Sequence, residues 1–340
     1  MIDNLEELCL LNGTSGDEAR VRDYIRSRIS ADEVITDNLG NLLVFKKGRK
    51  TPKNKLMFAA HMDEVGFMIT DITEDGFLRF GAVGGINPDV VLGRAMRVES
   101  SKDEIFGIVG TKAIHQQSKD ERTKVHSVDE MYLDIGAGSK EEAEELVSRG
   151  NYAYFDADFF EFGDGFIKGK AIDDRAGCLI MMDMINGDPE YDAWYAFTVQ
   201  EEIGTRGARA AAFTVAPDIA IVLETTTACD IAGVSGNKKV CELGKGAVVS
   251  YMDRSTVYDR RLYSLAFETA NANGIAVQTK TAIAGGNDSG AIHVSRGGIR
   301  TCAISVPCRY LHSPSCVIKE SDYHAVKALA KKMLSAVAEL

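Results

Sequence analysis

Apolar residues in this chain follow two spacings that alternate along the sequence. Short apolar runs, typical of buried strands, lie at 40–45, 55–60, 194–199, 218–223 and 300–306. Apolar positions at helical spacing lie at 176–185, 260–272 and 322–339. Alternation of buried strands with amphipathic helices predicts an α/β fold, in which helices cover both faces of a central sheet. Near the N-terminus, Ser15-Gly-Asp-Glu18 has the pattern of a capping box, which predicts that a helix begins there.

Residues 67–162 have a different pattern. Short β-prone segments alternate there with turn signals, and a single helical segment begins at Lys140. This pattern predicts a small β-barrel or sandwich. We therefore expect one α/β domain, formed by residues 1–66 and 163–340, whose sequence is interrupted by a β-rich insertion at 67–162.

Composition and charge narrow the function classes. The net charge of −11 argues against binding to nucleic acid or to an anionic membrane surface. The N-terminus lacks a basic segment followed by an apolar one, and no apolar run is long enough to span a bilayer. The chain has 7 cysteines, an odd number, and no Cys-x-x-Cys pair. We expect a reduced, cytoplasmic protein.

The candidate chemical groups lie where predicted strands end. His61 and His312 follow two of these strands. Acidic residues follow others: Asp63, the Asp173-Asp174 pair, the Glu201-Glu202 pair and Glu224. Taken alone, the pair at 173–174 is typical of a solvated helix start, and a single histidine at a strand end is usually structural.

Together, these groups favour a metal site. A carboxylate at the end of a buried strand loses hydration, and a cation or hydrogen bonds must offset that loss. Several such carboxylates at one sheet edge would repel one another unless a multivalent metal lay among them. Imidazoles and carboxylates without cysteine suit Zn, Co or Mn, and they allow a pair of ions.

The spacing of residues within two motifs suggests that neighbouring residues have different roles. The two-residue spacing of His61 and Asp63 places both side chains on one face of a strand, where Asp63 can orient the imidazole. Neighbours on an extended chain point apart. One of Glu201 and Glu202 can therefore bind metal while the other stays free as a base.

The order and number of several motifs resemble those of the tetrahedral (TET-type) dinuclear metallo-aminopeptidase family, which includes glutamyl and deblocking aminopeptidases and proteins formerly labelled endoglucanases. The matching segments span nearly the whole chain and lie at 60–66, 83–86, 107–110, 133–137, 170–177, 199–204, 285–290 and 309–314.

The resemblance implies a role for each candidate residue. Asp173 would bridge two divalent metal ions, with His61 and Glu224 completing one coordination sphere and Glu202 and His312 the other. Glu201 would be the general base on a metal-bridging water. Asp63 would orient His61.

The resemblance also implies an activity and an assembly. The fold would be that of a metallo-exopeptidase, and the chain would hydrolyse N-terminal residues from peptides with a free N-terminus. The insertion at 67–162 would be a dimerisation domain, and dimers would assemble into a tetrahedral dodecamer.

Two positions depart from the family pattern, and two other functions remain open. Glu224 stands where the family usually has Asp, and Cys316 stands where it usually has an acidic residue. These departures leave open a non-catalytic assembly protein with a degenerate metal site. A glycosidase using paired carboxylates is the enzymatic alternative. The preferred N-terminal residue of the substrate and the native metal also remain open.

Overall fold

The computed structural model describes residues 2–340, which form a central sheet, a closed barrel and a small third sheet. The strands are, in chain order, β1 (Glu33–Thr36), β2 (Leu42–Lys46), β3 (Leu56–His61), β4 (Gly66–Ile72), β5 (Leu78–Val83), β6 (Ala95–Ser100), β7 (Asp103–Gly110), β8 (Tyr132–Asp134), β9 (Tyr152–Phe155), β10 (Phe160–Phe162), β11 (Phe166–Gly169), β12 (Ala193–Thr198), β13 (Ile219–Thr227), β14 (Ala247–Val249), β15 (Val277–Thr279), β16 (Arg300–Cys308) and β17 (Cys316–Lys319).

Helices precede, interrupt and follow this series of strands. They are α1 (Leu5–Leu10), α2 (Ala19–Arg28), α3 (Lys140–Leu146), α4 (Ile172–Ile185), α5 (Arg206–Val215), α6 (Arg260–Ala272), α7 (Ser289–Ile292) and α8 (Glu320–Ala338). Within residues 2–340, no helix combines the length and the apolar character needed to cross a membrane.

The central sheet has eight strands in the order β1-β2-β12-β3-β13-β16-β14-β15. Its four middle strands, β12, β3, β13 and β16, are parallel to one another. The flanking strands β2 and β14 run antiparallel to them. The carboxyl ends of the parallel strands therefore meet at one edge of the sheet, which is where ligands bind in such sheets.

Strand β3 shows why helices cover both faces of this sheet. Its side chains are buried throughout and alternate between two cores, as the two-residue period of a strand requires. Leu56, Phe58 and Ala60 pack into a core shared with α1, α4, α6 and α8. Met57 and Ala59 pack into a second core with α5 and α7. The predicted α/β sheet covered on both faces is confirmed.

A closed barrel lies between β3 and β11 in the sequence. Its strands pair in the order β4-β5-β8-β7-β6-β9, and they enclose a separate apolar core. Phe67 lies in this core, with ring centroids 5.2 Å from both Phe80 and Phe155 in edge-to-face contact. The predicted β-rich insertion is therefore a barrel.

A third sheet connects two segments that are distant in sequence. Its strands pair in the order β10-β11-β17, and the β11–β17 register places Gly169 opposite Cys316. The loop that precedes α4 and the loop that carries His312 therefore leave this sheet at the same end. This pairing brings Asp173 and His312 towards each other.

The capping-box prediction at Ser15–Glu18 is wrong. Helix α2 begins at Ala19, and its N-cap, Glu18, makes no side-chain cap hydrogen bond. The Ser15 hydroxyl instead donates to Asp63 at 2.6 Å, and Glu18 Oε1 accepts hydrogen bonds from the amides of Gly16 and Gln200. Tertiary partners have taken the place of the local cap.

Candidate metal centre

The predicted site residues converge at the carboxyl edge of the central sheet. His61 is the last residue of β3 and pairs in register with Thr198, the last residue of β12. Glu224 lies on β13, opposite Ser305 of β16. The remaining residues come from loops or turns: Asp173 from the first turn of α4, Glu201 and Glu202 from the turn after β12, and His312 from the loop between β16 and β17.

One group of potential ligands contains His61, Asp173 and Glu224. The Nε2 atom of His61 lies 3.3 Å from Asp173 Oδ1 and 3.4 Å from Glu224 Oε1. The ligand atoms of the three residues all lie within 4.8 Å of one another, and all three residues are buried. One cation could contact all three.

A second group contains Asp173, Glu202 and His312. The Nε2 atom of His312 lies 3.6 Å from Asp173 Oδ2 and 3.2 Å from Glu202 Oε2. These ligand atoms also lie within 4.8 Å of one another. Asp173 belongs to both groups and presents a different carboxylate oxygen to each, which is the arrangement that a bridging ligand needs.

The hydrogen bonds of the two imidazoles fit metal binding. His61 Nδ1 lies 3.0 Å from the main-chain oxygen of Asp63, and His312 Nδ1 lies 2.8 Å from the main-chain oxygen of Gly85. Each Nδ1 can therefore donate a proton to a carbonyl. When the ring is neutral, its Nε2 lone pair then faces the carboxylates and can bind a cation, as in most histidine metal ligands.

Burial gives the carboxylates a further reason to bind a cation. It raises the pKa of Glu202 and of Glu224 to about 8. For Asp173, burial acts in the same direction, but its contacts with His312 and His61 outweigh it and lower the pKa below its usual range. Asp173 Oδ1 is also buried and accepts no hydrogen bond. The residues present fit a divalent cation in each group.

The histidines respond in the opposite sense. Burial lowers the pKa of His61 and of His312, but the neighbouring carboxylates outweigh it. The net effect raises the pKa of His61 well above its usual value and that of His312 to about 10. Imidazolium protons therefore balance the carboxylates in the protein alone, and a bound metal would displace them.

Asp63 contacts other residues of the site besides His61. Its buried carboxylate accepts hydrogen bonds from the main-chain amides of Glu201 and Glu202, at 3.0 and 3.1 Å, as well as from Ser15. Asp63 Oδ1 lies 3.4 Å from His61 Nδ1, whereas the main-chain oxygen of Asp63 lies 3.0 Å from the same atom. Because β3 ends at His61, Asp63 does not continue the strand. Loop hydrogen bonds place its carboxylate instead.

Glu201 and Glu202 also differ from their predicted setting. They lie in the turn that follows β12, after Gln200, whose φ is 56°, and not on an extended strand. The two side chains still differ in role, because Glu202 belongs to a ligand group and Glu201 belongs to neither group. Burial raises the pKa of Glu201 well above its usual value. The turn, and not strand alternation, separates the two side chains.

Asp173 and Asp174 also have different roles. The peptide bond between them is cis, and neither residue has helical backbone angles. Asp174 is buried, and its Oδ1 accepts a hydrogen bond from the Gly177 amide at 3.0 Å. Asp174 therefore stabilises the first turn of α4 and is absent from both ligand groups.

Sequence reasoning missed a buried charged network behind Asp173. Lys170 Nζ lies 2.6 Å from Glu64 Oε1, and it also donates to the Asn12 side chain. Arg175, fully buried, donates to the main-chain oxygens of Leu8 and Met62. Both cations lie in the 170–177 motif and flank Asp173. Their place in that motif was the signal that could have revealed them.

Another missed residue is Asp288, the N-cap of α7. It is buried, and its Oδ2 accepts a hydrogen bond from the Thr198 hydroxyl at 2.5 Å. Because Thr198 pairs with His61, this contact connects α7 to the edge of the sheet that carries the site. Asp288 lies in the 285–290 motif, and its place in that motif was the signal that could have revealed it.

The two departures from the family pattern occupy different places. Glu224 belongs to the first ligand group. Cys316 is buried, and its thiol lies 3.5 Å from the main-chain oxygen of Ser313 and 3.6 Å from that of Tyr310. The thiol therefore contacts the loop that carries His312, where its hydrogen bonds are to main-chain oxygens.

A cavity of about 1150 Å³ opens over both groups. His61, Asp173, Glu202, Glu224 and His312 line it, and so does Glu201. The cavity is large enough for several residues of an extended peptide.

The comparisons with known proteins agree along almost the whole chain. Residues 40–329 match the sequence model of the M42 glutamyl aminopeptidase family. A protein of Acetivibrio thermocellus is 39% identical over 97% of this chain and 98% of its own. A lysyl aminopeptidase of Pyrococcus furiosus is 34% identical over 95% of this chain and 93% of its own.

A solved structure gives the same result for the fold. The TET1 peptidase of Pyrococcus horikoshii, which can assemble into a tetrahedron or a large octahedral shell, superposes with a TM-score of 0.86 at 33% identity. The alignment covers 98% of each chain.

The two aspartates of the 173–174 pair should respond differently to substitution. Asp173→Asn removes a charged oxygen from both ligand groups, so we expect this variant to lose most of its bound metal. Asp174→Asn keeps the oxygen that accepts from Gly177, so we expect its metal content to stay near that of the wild type. Metal per chain, measured by plasma mass spectrometry after loading and desalting, checks both. Equal loss in the two variants would contradict the assignment.

Proposed function

The chain belongs to the M42 glutamyl aminopeptidase family, and on that basis we propose that it is a metal-dependent aminopeptidase that removes N-terminal residues from peptides. The observation that carries the proposal is the pair of ligand groups sharing Asp173, with the half-buried Glu201 beside them in one large cavity. A hydrolase that acts on an unreactive amide needs both an electrophile and a base, and this arrangement supplies places for both.

We propose two divalent ions per subunit, Zn, Co or Mn. His61 and Glu224 would hold one ion, Glu202 and His312 the other, and Asp173 would contact both. When bound, such ions supply Lewis acidity, which polarises a carbonyl, stabilises a developing oxyanion and acidifies water. Glu224 is one methylene longer than the usual Asp and still presents a carboxylate oxygen within 3.4 Å of His61 Nε2.

Glu201 is the proposed general base. Its carboxylate takes a proton from the attacking water, and the protonated acid then delivers that proton to the leaving amine. Burial raises the pKa of Glu201 well above its usual value, which makes its carboxylate a stronger base than that of an exposed glutamate. Asp63 positions Glu201 through the hydrogen bond from its amide.

Exopeptidase behaviour follows from the charge of the site. A free α-amine is cationic, and the carboxylates that line the cavity can hold it next to the reacting carbonyl. A blocked N-terminus lacks that charge. Peptides with a free N-terminus are therefore the proposed substrates.

The assembly and the domain division are also proposals. Residues 1–66 and 163–340 would form the catalytic domain, and residues 67–162 would form a dimerisation domain built on the barrel. Support for a larger homo-oligomer comes from the similarity to the Pyrococcus horikoshii TET1 peptidase. Dimers of this chain would assemble into a tetrahedral dodecamer.

Metal removal tests the proposed function. We expect chelator followed by desalting to abolish hydrolysis of aminoacyl p-nitroanilides, and we expect added Zn²⁺, Co²⁺ or Mn²⁺ to restore it, because the clustered carboxylates cannot act without their cations. Rates for a panel of aminoacyl substrates, measured with each metal, give the result. Full activity in chelator, or hydrolysis of glucans in place of the aminoacyl substrates, would contradict the proposal.

Glu201→Gln tests the base. The amide keeps the shape of the side chain but cannot take a proton, so kcat should fall by about 10²–10⁴-fold while metal content is unchanged. Glu202→Gln is the matched control, since it should lose metal. A Glu201→Gln enzyme with near-normal kcat would exclude Glu201 as the base.

A further inference from the structure

Two carboxylates hold three consecutive amides in the turn that carries Glu201 and Glu202. The Glu201 amide donates to Asp63 Oδ1 at 3.0 Å, and the Glu202 amide donates to Asp63 Oδ2 at 3.1 Å. The amide before them, that of Gln200, donates to Glu18 Oε1 at 3.0 Å. Glu18 is absent from the cavity lining and from both ligand groups, and the proposed chemistry assigns it no role.

The backbone of Gln200 needs such a contact. Its φ of 56° lies in the left-handed region, which a residue with a side chain adopts only when its surroundings hold it there. Gln200 directly precedes Glu201, so a change in its backbone angles would turn the Glu201 side chain away from its present position. The Glu18 hydrogen bond therefore acts on the residue whose conformation sets the direction of the Glu201 side chain.

Glu18 can fix this turn because it is itself fixed. It is only 5% exposed, and the same Oε1 atom accepts a second hydrogen bond, from the Gly16 amide at 2.8 Å. Its main-chain oxygen accepts from the Arg22 amide of α2 at 2.9 Å. Packing and hydrogen bonds of this kind define the position of a side chain much more sharply than exposure to solvent does.

The barrel holds the residues before Glu18 from another side. Tyr154 of β9 donates to the Asp17 carboxylate at 2.6 Å, and Tyr152 of the same strand donates to the main-chain oxygen of Ser15 at 3.4 Å. The segment therefore contacts the barrel through Ser15 and Asp17 and contacts the turn through Glu18.

Helix α2 does not need the Glu18 side chain. Glu18 occupies the N-cap position, but its side chain accepts no hydrogen bond from the amides of the first helical turn. The bond to Gln200 instead connects segments that lie 182 positions apart in the sequence. A local role in capping the helix therefore does not explain this side chain.

We propose that Glu18 is a positioning residue for the general base. By holding the Gln200 amide, it keeps the Glu201 carboxylate in place to take a proton from the attacking water. Misplacement of a reacting group by a small distance costs an enzyme much of its rate. This inference rests on the proposed function and on the role of Glu201 in it. Glu18 itself exchanges no proton with the substrate.

The test measures kcat, KM and metal per chain for Glu18 variants, with the aminoacyl p-nitroanilide that the wild type hydrolyses fastest. Glu18→Ala removes the acceptor of the Gln200 amide, so kcat should fall by about 10-fold, while KM and metal content stay near those of the wild type. Glu18→Gln keeps an oxygen acceptor and should have a kcat close to that of the wild type. Asp23→Ala removes an exposed carboxylate from α2 and is the control that should change nothing.

Combination with Glu201→Gln separates positioning of the base from a general structural effect. If Glu18 acts through proton transfer by Glu201, adding Glu18→Ala to Glu201→Gln should lower kcat no further. An equal loss of kcat in both backgrounds would overturn the inference. Loss of metal in Glu18→Ala would also overturn it, because the effect would then act through the ligands and not through the base.

Amide hydrogen exchange gives a readout that does not depend on catalysis. The amides at 200–202 should exchange faster in Glu18→Ala than in the wild type or in Glu18→Gln, relative to the amides of α8. Unchanged exchange would overturn the inference. If Glu18→Ala does not fold, Glu18→Asp, whose carboxylate is one methylene shorter, should show the same changes in kcat and in exchange.

The outcomes also separate this inference from the proposed function. A wild type that hydrolyses the aminoacyl substrates, with a Glu18→Ala variant of equal kcat, overturns the inference and leaves the aminopeptidase intact. If the wild type hydrolyses no aminoacyl substrate, the proposed function fails. Exchange at 200–202 then decides whether Glu18 holds the turn.

Discussion

The carboxylate of Asp173, shared between two histidines, is the contact around which this protein is built. Its two oxygens each face one imidazole Nε2, at 3.3 Å for His61 and 3.6 Å for His312. Each of these Nε2 atoms also lies close to a glutamate, Glu224 for His61 and Glu202 for His312. Several buried carboxylates this close together are costly unless cations lie among them. These carboxylates therefore require compensating positive charge at one edge of the central sheet.

Other parts of the fold hold the ligand side chains in position. Parallel strands deliver His61 and Glu224 to the same level of the sheet, and the third sheet brings the loops of Asp173 and His312 together. Behind them, the Asp63 carboxylate fixes the turn of the two glutamates through their amides. Buried Lys170 and Arg175 tie the Asp173 loop to the N-terminal segment. Rigid positioning of this kind suits metal binding and catalysis more than plain stability.

Much of the fold and the ligand set followed from local pattern, and the remainder depended on tertiary contacts. Buried strands and amphipathic helices have apolar spacings that a sequence displays directly. Acids and histidines at strand ends were visible for the same reason. By contrast, Ser15 and Glu18 looked like a cap, but tertiary partners recruited them. The turn at Glu201 has no local signature, because distant segments create its surroundings.

The central claim is that two cations share Asp173, and anomalous X-ray scattering from crystals of the Co²⁺- or Zn²⁺-loaded protein tests it most directly. We expect two anomalous peaks per subunit. One should lie among His61, Asp173 and Glu224, and the other among Asp173, Glu202 and His312. A single peak, or a pair of peaks that Asp173 does not contact, would contradict it.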